Sequence, residues 1–269
     1  MFQPGLFDGQ IILVTGGGSG IGFAIAREFL KLGGRVFIAS RKQARIDEAV
    51  AQLSAFGTVS GFVLDIRKPE DAEAAADHIA QVAGRLDILI NNAGGQFPVA
   101  AEHLSINGWN AVVNNNLNGS WYMTHTMARR FFIPQKSGII NTIIAGISRG
   151  FPGMVHTGAA RAGIENFTKS LAVEWAPHHI RINAVAPGYI HSSGMEQYPP
   201  ELKANINAAI PMRRLGTTTE VAWLTVFLSS PMAAYITGQS VYIDGAQGLW
   251  GSLWQVPPFE PAPAPAPFE

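Results

Sequence analysis

Between Thr15 and Gly22 the chain reads TGGGSGIG, with Gly16, Gly20 and Gly22 at Thr-Gly-x-x-x-Gly-x-Gly spacing. Phosphate oxygens bind well where several backbone N–H groups converge on a helix N-terminus. A Cβ at these positions would block a pyrophosphate and crowd the strand against the helix. Glycine clusters also make plain turns, so context decides. Here the run follows an apolar stretch, QIILVT, and precedes one that puts Ile21, Ile25, Phe29 and Leu32 on one helical face. Strand, glycine loop and amphipathic helix in that order are what a dinucleotide-binding loop requires. Gly16, Gly18, Ser19, Gly20, Ile21 and Gly22 are the expected cradle.

A second cluster stands at the end of the next strand, RVFIAS. An acidic residue there would accept from both adenosine ribose hydroxyls and disfavour a 2′-phosphate. This chain has Ser40, Arg41 and Lys42 instead. A guanidinium beside a hydroxyl suits a 2′-phosphate through charge-assisted, bidentate bonds. The expected cofactor is NADP(H) over NAD(H), the plain alternative being a solvated basic turn.

Positioning these groups requires a scaffold, and the chain supplies a regular alternation. Strands are expected over Gln10–Thr15, Arg35–Ser40, Val59–Asp65, Leu86–Asn91, Gly138–Ile144, Ile180–Ala186 and near Ser240–Ile243. Between them lie helical patterns at Lys42–Ala55, from Pro69 with Ala72, Ala76, Ile79 and Ala83 buried, Ser105–Phe132, Ala159–Trp175 and Thr218–Leu228. Apolar strands alternating with helices predict an α/β fold: one Rossmann-type domain, a doubly wound parallel sheet of about seven strands covered on both faces. That domain is expected over residues 1–250. Residues 251–269, ending in PAPAPAPFE, read as a Pro/Ala-rich extended tail. The stretch from His191 to Arg214, with Pro199, Pro200 and Pro211, reads as irregular.

Bulk composition narrows the function classes. Lys plus Arg and Asp plus Glu balance at 19 each, so no global field recruits nucleic acid or an anionic membrane. An anionic ligand must be held by a local site. The absence of cysteine excludes thiolate chemistry and disulfides. The opening MFQPGLFDGQ lacks the basic and apolar regions of a secretory signal, and no apolar run approaches membrane-spanning length. A cytoplasmic protein is the expectation. No His/Asp/Glu cluster has zinc-like spacing, and His178 and His179 after Pro177 read as a turn.

The ordered set TGGGSGIG, Asp65 after the third strand, NNAG at Asn91–Gly94 and APGYI at Ala186–Ile190 resembles the short-chain dehydrogenase/reductase family over roughly residues 8 to 247. The resemblance implies a Rossmann-type domain, commonly assembled as a homotetramer. It implies that Asp65 and Ile66 meet the adenine and that Asn92, Ala93 and Gly94 run along the cofactor. Pro187, Gly188 and Ile190 would close over the nicotinamide. Asn116, in NNNLNG, matches the family's helix asparagine that organises a water.

The family usually places a serine at the end of the fifth strand and a Tyr-x-x-x-Lys pair on the next helix. This sequence departs from both. Ile144 stands near the serine position, and HTGAARAG puts Thr157 at the tyrosine position and Arg161 at the lysine position. A threonine hydroxyl is far too weak an acid to replace a phenol, and an arginine stabilises negative charge but relays no proton. These two residues argue against ordinary carbonyl–alcohol interconversion. A delocalised enolate asks less: its oxyanion must be stabilised while a proton arrives separately at carbon.

One branch shares the departure. NNAGGQFPVAAEHLS and GFPGMVHTGAARAGIENFTKSLAVEW resemble the peroxisomal trans-2-enoyl-CoA reductases. The 2,4-dienoyl-CoA reductases resemble it less, keeping an upstream tyrosine with a lysine. The resemblance implies hydride transfer from NADPH to the β-carbon of a 2-enoyl thioester and protonation at the α-carbon. Asn116 would position a water or the thioester oxygen. Arg161 would lie under the nicotinamide ribose, stabilise the enolate, or serve only in an ion pair. His156, with a near-neutral reference pKa, is a candidate proton source. Thr157 is a candidate hydrogen-bond donor. Ser148 and Arg149 lie where substrate would pass. Glu165 and Lys169, spaced i,i+4, suit a surface pair, and Trp109, Trp121 and Tyr122 a core or subunit interface. Two other readings stay open: an alcohol or ketone dehydrogenase with a non-standard proton donor, and a catalytically silent NADP(H)-binding protein.

Overall fold

The computed structural model describes residues 2–192, 206–250 and 260–265. Its strands are β1 (Ile11–Thr15), β2 (Arg35–Ser40), β3 (Val59–Val63), β4 (Ile88–Asn91), β5 (Gly138–Ile143), β6 (Ile180–Pro187), β7 (Ile190–His191), β8 (Gly216–Thr217) and β9 (Ser240–Ile243). Seven of them form one sheet in the order β3-β2-β1-β4-β5-β6-β9, every neighbouring pair parallel. The order reverses beside β1, between the outward runs to β3 and to β9. In such a sheet, ligands bind at that crevice beyond the carboxyl ends of the strands. The short β7 and β8 pair separately, Ile190 opposite Gly216.

Parallel strands need helical crossovers, and these cover both faces. On one face α1 (Gly20–Lys31), α2 (Gln43–Leu53) and α8 (Thr218–Ser229) bury Ile25, Phe29, Leu53 and Val226 against Val14, Ile38 and Val185. On the other, α3 (Pro69–Ala83), α5 (Gly119–Met127) and α7 (Val155–Glu174) bury Ile79, Met123 and Leu171 against Leu13, Phe37 and Ile182. β1 is buried at all five positions, as a strand covered on both faces must be.

Two departures from the sequence expectation bear on the site. The helix expected over Ser105–Phe132 is not uniform. It runs as α4 (Ile106–Val113), a π turn at Asn114–Asn118, α5, a second π turn at Ala128–Phe132 and the short α6 (Ile133–Gln135). Single π turns inside helices re-aim side chains, and the first one carries Asn116. In addition, α7 starts at Val155, four residues before the expected Ala159, so His156 and Thr157 belong to its first turn. Trp109 and Trp121 stand at the surface, whereas Tyr122 packs against the core. Of the expected irregular stretch, 193–205 lies outside the described residues, as do 251–259 and 266–269 of the expected tail; 260–265 are exposed and without regular structure. No helix among the described residues is long and apolar enough to cross a membrane.

Candidate active site

The glycine loop is built against the NNAG segment. The Thr15 hydroxyl accepts from the backbone N–H groups of Asn92 at 3.0 Å and Ala93 at 3.1 Å. The Asn92 amide donates back to the carbonyls of Thr15 at 3.0 Å and Gly16 at 3.2 Å. Gly22 is required by this closeness: a Cβ there would lie 2.4 Å from both the Asn92 amide nitrogen and the Gly16 carbonyl oxygen. Ser19 is extended and exposed immediately before α1, and Gly20 follows with a φ of 56°. Gly18 approaches the backbone of Arg45 on α2.

At the carboxyl end of β2, Ser40 is half-buried and Arg41 exposed. Next to them the Asp65 carboxylate accepts from the Arg67 guanidinium, at 2.8 Å to Nε. That hydrogen bond, with the charges of Arg67 and Arg41, outweighs burial and holds Asp65 below the usual carboxylate range. Ile66 is buried beneath α5, within 2.8 Å of where a Gly119 Cβ would stand. Ser40, Arg41, Asp65 and Ile66 thus form one corner beside the glycine loop.

The main cavity, of about 860 Å³, opens at the carboxyl edge of β4, β5 and β6. Ile21, Asn92, Gly94, Arg161, Pro187, Gly188 and Ile190 all line it, so the structure brings residues of the glycine loop, the NNAG segment and the Pro187–Ile190 segment to one place. Arg161 is the unusual member. It is buried, its Nη1 donates to the Ile143 carbonyl at 3.1 Å, and its Nε has no hydrogen-bond partner. No carboxylate pairs with it among the described residues. Burial alone pushes its pKa down to about 10, which leaves it charged at neutral pH. Its Nη2 comes within 2.7 Å of where a Gly94 Cβ would lie, and the Asn116 Oδ1 within 2.6 Å, so only glycine fits between them.

Asn116 stands one layer behind the lining. Its amide donates to the carbonyls of Gly95 at 2.7 Å and Val112 at 3.0 Å and accepts from the Gly95 N–H at 3.2 Å. Its own carbonyl accepts from the Ser120 hydroxyl at 2.7 Å. The π turn is what lets one asparagine face both its own helix and the 94–97 loop. His156 and Thr157 are fully buried and outside the cavity lining. The His156 ring meets Phe97 edge-on with centroids 4.7 Å apart, and neither its nitrogens nor the Thr157 hydroxyl has a hydrogen-bond partner.

One segment at the cavity escaped the sequence reading: beyond β9, Asp244, Gln247 and Gly248 close the far side with Ser148 and Arg149. Asp244 accepts from the N–H groups of Ala246 at 2.9 Å and Gly248 at 2.8 Å. An acidic residue directly after the last strand of a parallel sheet was the available signal, because it must fall at the carboxyl edge. The expected Glu165–Lys169 pair forms along α7 at 2.9 Å.

Comparison with known proteins agrees with this geometry. The family described as "Enoyl-(Acyl carrier protein) reductase" matches residues 16–246. A probable 2,4-dienoyl-CoA reductase of Bacillus subtilis is 38% identical over 246 residues, 89% of this chain and 97% of its own. A peroxisomal 2,4-dienoyl-CoA reductase of Rattus norvegicus is 37% identical over 259 residues, 94% of this chain and 88% of its own. Among solved structures, a citronellol catabolism dehydrogenase of Pseudomonas aeruginosa superposes with a TM-score of 0.83 at 38% identity, over 92% of this chain and 98% of that one. With the parallel sheet, the glycine loop and the NNAG clamp in place, these matches make the chain a member of the short-chain dehydrogenase/reductase family of oxidoreductases.

Proposed function

We propose that this protein is an NADPH-dependent reductase of the C=C bond in 2-enoyl thioesters. The observation that carries the reading is Arg161: a buried guanidinium, unpaired with any carboxylate among the described residues, facing the cavity where the family usually keeps a titrating lysine. A fixed positive charge in a poorly solvated site stabilises a developing oxyanion strongly. It does nothing for an acid that must release a proton. That combination suits an enolate better than an alkoxide. The names of the relatives, reductases of enoyl and dienoyl thioesters, support the same substrate class.

The residues present fit a phosphorylated nicotinamide dinucleotide. Nothing of the protein lies within 4 Å of where a Gly20 Cβ would stand, and this open approach at the N-terminus of α1 suits its pyrophosphate. Arg41 and Ser40 would take the 2′-phosphate, and Asp65 and Ile66 the adenine. Bound there, the cofactor supplies a hydride to the substrate β-carbon. Asn92, Ala93 and Gly94 would run along it, with Pro187, Gly188 and Ile190 closing over its reactive end. Arg161 would hold the thioester oxygen as negative charge develops. Asn116 acts as a positioning residue, keeping the Gly94–Gly95 backbone against Arg161. His156 and Thr157, both buried in the first turn of α7, would back the wall formed by Phe97. Ile106, Trp109 and Trp121 leave apolar surface along the α4–α5 helix, which supports a homo-oligomer with the tetramer as the expected form.

The test is a panel of enoyl-CoAs, ketones and aldehydes mixed with purified protein and NADPH, followed at the reduced-nicotinamide absorbance band. Turnover confined to enoyl-CoAs is the expected result. Turnover of carbonyls alone would indicate an alcohol or ketone dehydrogenase, and cofactor binding without turnover a silent binding protein.

A further inference from the structure

A thioester substrate has a reactive end and a carrier end, and the cavity has a second wall that faces away from the glycine loop. The loop after β5 and the turn after β9 make this wall together. The Ser148 hydroxyl donates to the Gly248 carbonyl at 3.5 Å, and the Arg149 guanidinium donates to the Trp250 carbonyl. A third segment packs on the same turn: the Met212 N–H donates to the Gly245 carbonyl at 3.3 Å. From the next position the Arg213 guanidinium reaches over the Trp250 indole, 5.5 Å from the ring centroid, within the range of a cation–π contact. Two arginines from separate loops thus converge on one tryptophan, next to the cavity that Arg149 lines.

Neither cation is neutralised by the fold. Among the described residues no carboxylate pairs with Arg149 or Arg213. Their hydrogen bonds go to backbone carbonyls, of Trp250 for Arg149 and of Ala208, at 2.8 Å, for Arg213. Asp244, at the start of the turn, is occupied as an acceptor by the N–H groups of Ala246 and Gly248. A guanidinium has several N–H donors in a fixed fork, so each arginine keeps donors for an anion. The backbone on both sides of the contact is held in an unusual form. Arg213 has a φ of 57°, and Ala246 in the facing turn one of 69°, in the left-handed region that residues with side chains avoid. Strain of this kind persists where the surroundings enforce it, and it gathers at ligand sites.

We propose that Arg149, Arg213 and Trp250 bind the phosphorylated adenine nucleotide of a coenzyme A carrier, an assignment that rests on the enoyl-thioester reading. An indole and a guanidinium plane are both surfaces on which a purine stacks. Guanidinium forks also pair with phosphate oxygens bidentately. Position in the sheet separates this site from the corner proposed for the cofactor's 2′-phosphate. Ser40 and Arg41 stand at the end of β2, on one side of β1, whereas Arg149 follows β5 and Trp250 follows β9 on the other. Arg161, bonded to the Ile143 carbonyl at the end of β5, stands between them. Two anionic nucleotides would enter the crevice from opposite ends, one bearing the hydride and the other the thioester, and meet at Arg161. An acyl carrier protein would present a pantetheine arm without a purine and leave the Trp250 indole unused.

The test uses one enoyl chain on three carriers, coenzyme A, pantetheine and acyl carrier protein, each assayed with NADPH. Wild type should favour enoyl-CoA over enoyl-pantetheine by about 100-fold in kcat/KM, from two charge-assisted contacts worth about tenfold each. Arg149 is exposed, so its replacement leaves the fold intact. Arg149→Ala and Arg213→Ala should each cut the ratio about tenfold, through KM for enoyl-CoA more than through kcat. A merely structural arginine would lower turnover of both thioesters together and leave the ratio unmoved. Calorimetry with free coenzyme A and with pantetheine gives a check without turnover. Wild type should bind coenzyme A at least about tenfold more tightly, and added salt or Arg149→Ala should erode that preference. Equal use of enoyl-CoA and enoyl-pantetheine, preference for the carrier-protein thioester, or an unchanged ratio in both variants overturns the nucleotide site alone. Wild type that reduces none of the three overturns the reductase reading. Calorimetry then decides the site separately: equal binding of coenzyme A and pantetheine overturns it as well.

Discussion

Asn116 and Gly95 hold each other from both sides: one side-chain amide donates to the glycine carbonyl at 2.7 Å and accepts from its N–H at 3.2 Å. This reciprocal pair fixes the wall that faces Arg161. Asn116→Ala would strand two backbone groups of Gly95 and the Val112 carbonyl. Leaving buried polar groups unpaired costs about 1–3 kcal/mol each, less wherever water reaches them. The expected outcome in a denaturant melt is a loss of about 2 kcal/mol, with KM for the cofactor rising as the loop loosens. An unchanged melting curve would show that Gly95 does not depend on this amide.

Arg161 carries the opposite signature, a group whose burial works against the fold. Replacing a buried charge by an apolar side chain of similar volume is neutral or stabilising, by up to a few kcal/mol, where the charge is not compensated. Arg161→Met should therefore keep or raise Tm while abolishing turnover. A fall in Tm of several degrees would mark the guanidinium as structural.

The pH profile follows from the same residue. A cation with pKa about 10 is present at neutral pH and lost as pH rises through that value, so oxyanion stabilisation by Arg161 should fall only in strong base. Arg161→Lys begins from a lower reference value, about 10.4, and suffers the same kind of burial penalty. Its activity limb should move down into the range of ordinary assay buffers. Coincident alkaline limbs for wild type and variant would remove this charge from the mechanism.

Arg41 is exposed at the end of β2, beside the Asp65–Arg67 pair. A charge-assisted contact with a 2′-phosphate is worth about 1.5–3 kcal/mol. Arg41→Glu should raise the NADPH Kd by at least about tenfold and leave NADH binding nearly unchanged, as read by calorimetry. Added salt should erode the wild-type preference, because an exposed contact is screened. Equal Kd values for the two cofactors in the wild type would end the NADPH assignment.

Thr217 caps α8 and belongs to β8, which pairs with the Ile190–His191 strand. Its hydroxyl accepts from the Glu220 N–H at 3.2 Å, and the Glu220 carboxylate accepts from the Thr217 N–H at 2.8 Å. Thr217→Ala should cost about 1 kcal/mol, the usual worth of a cap. Burial raises the Glu220 pKa, but the Arg214 and Thr217 hydrogen bonds together outweigh it and hold the carboxyl low. The stabilisation is thus present above the ordinary carboxylate pKa and lost as pH falls through the lowered value. Glu220→Gln should flatten that acid limb of stability; an identical limb would refute the coupling.

Local patterning made most of the scaffold legible. Apolar runs such as IILVT and RVFIAS can only be strands buried on both faces, and the glycine loop between strand and helix marks its own role. Boundaries set by tertiary contacts were less visible. The start of α7 at Val155 goes with long-range contacts that periodicity does not encode: the Val99 N–H donates to the Gly153 carbonyl, and the Phe97 ring meets His156. The π turn at Asn114–Asn118 depends on a partner, Gly95, twenty-one positions away from Asn116. The same limit applies to Ser148: nothing in its spelling announces that its hydroxyl donates to the Gly248 carbonyl, because that proximity is created by β9 closing the sheet beside β6.

The lattice of bonds among Thr15, Asn92, Ala93 and Gly16 has a thermodynamic consequence. Two loops that the proposed cofactor would touch together are fastened to each other by side chains of the protein itself. The cradle is preorganised, and little ordering entropy is charged to association. On the proposed reading, docking of a cofactor into so rigid a slot would leave the slower rearrangements to the opposite wall, formed by Ser148, Arg149 and the turn after β9. Turnover in such a molecule would be paced by how the acyl chain enters and leaves.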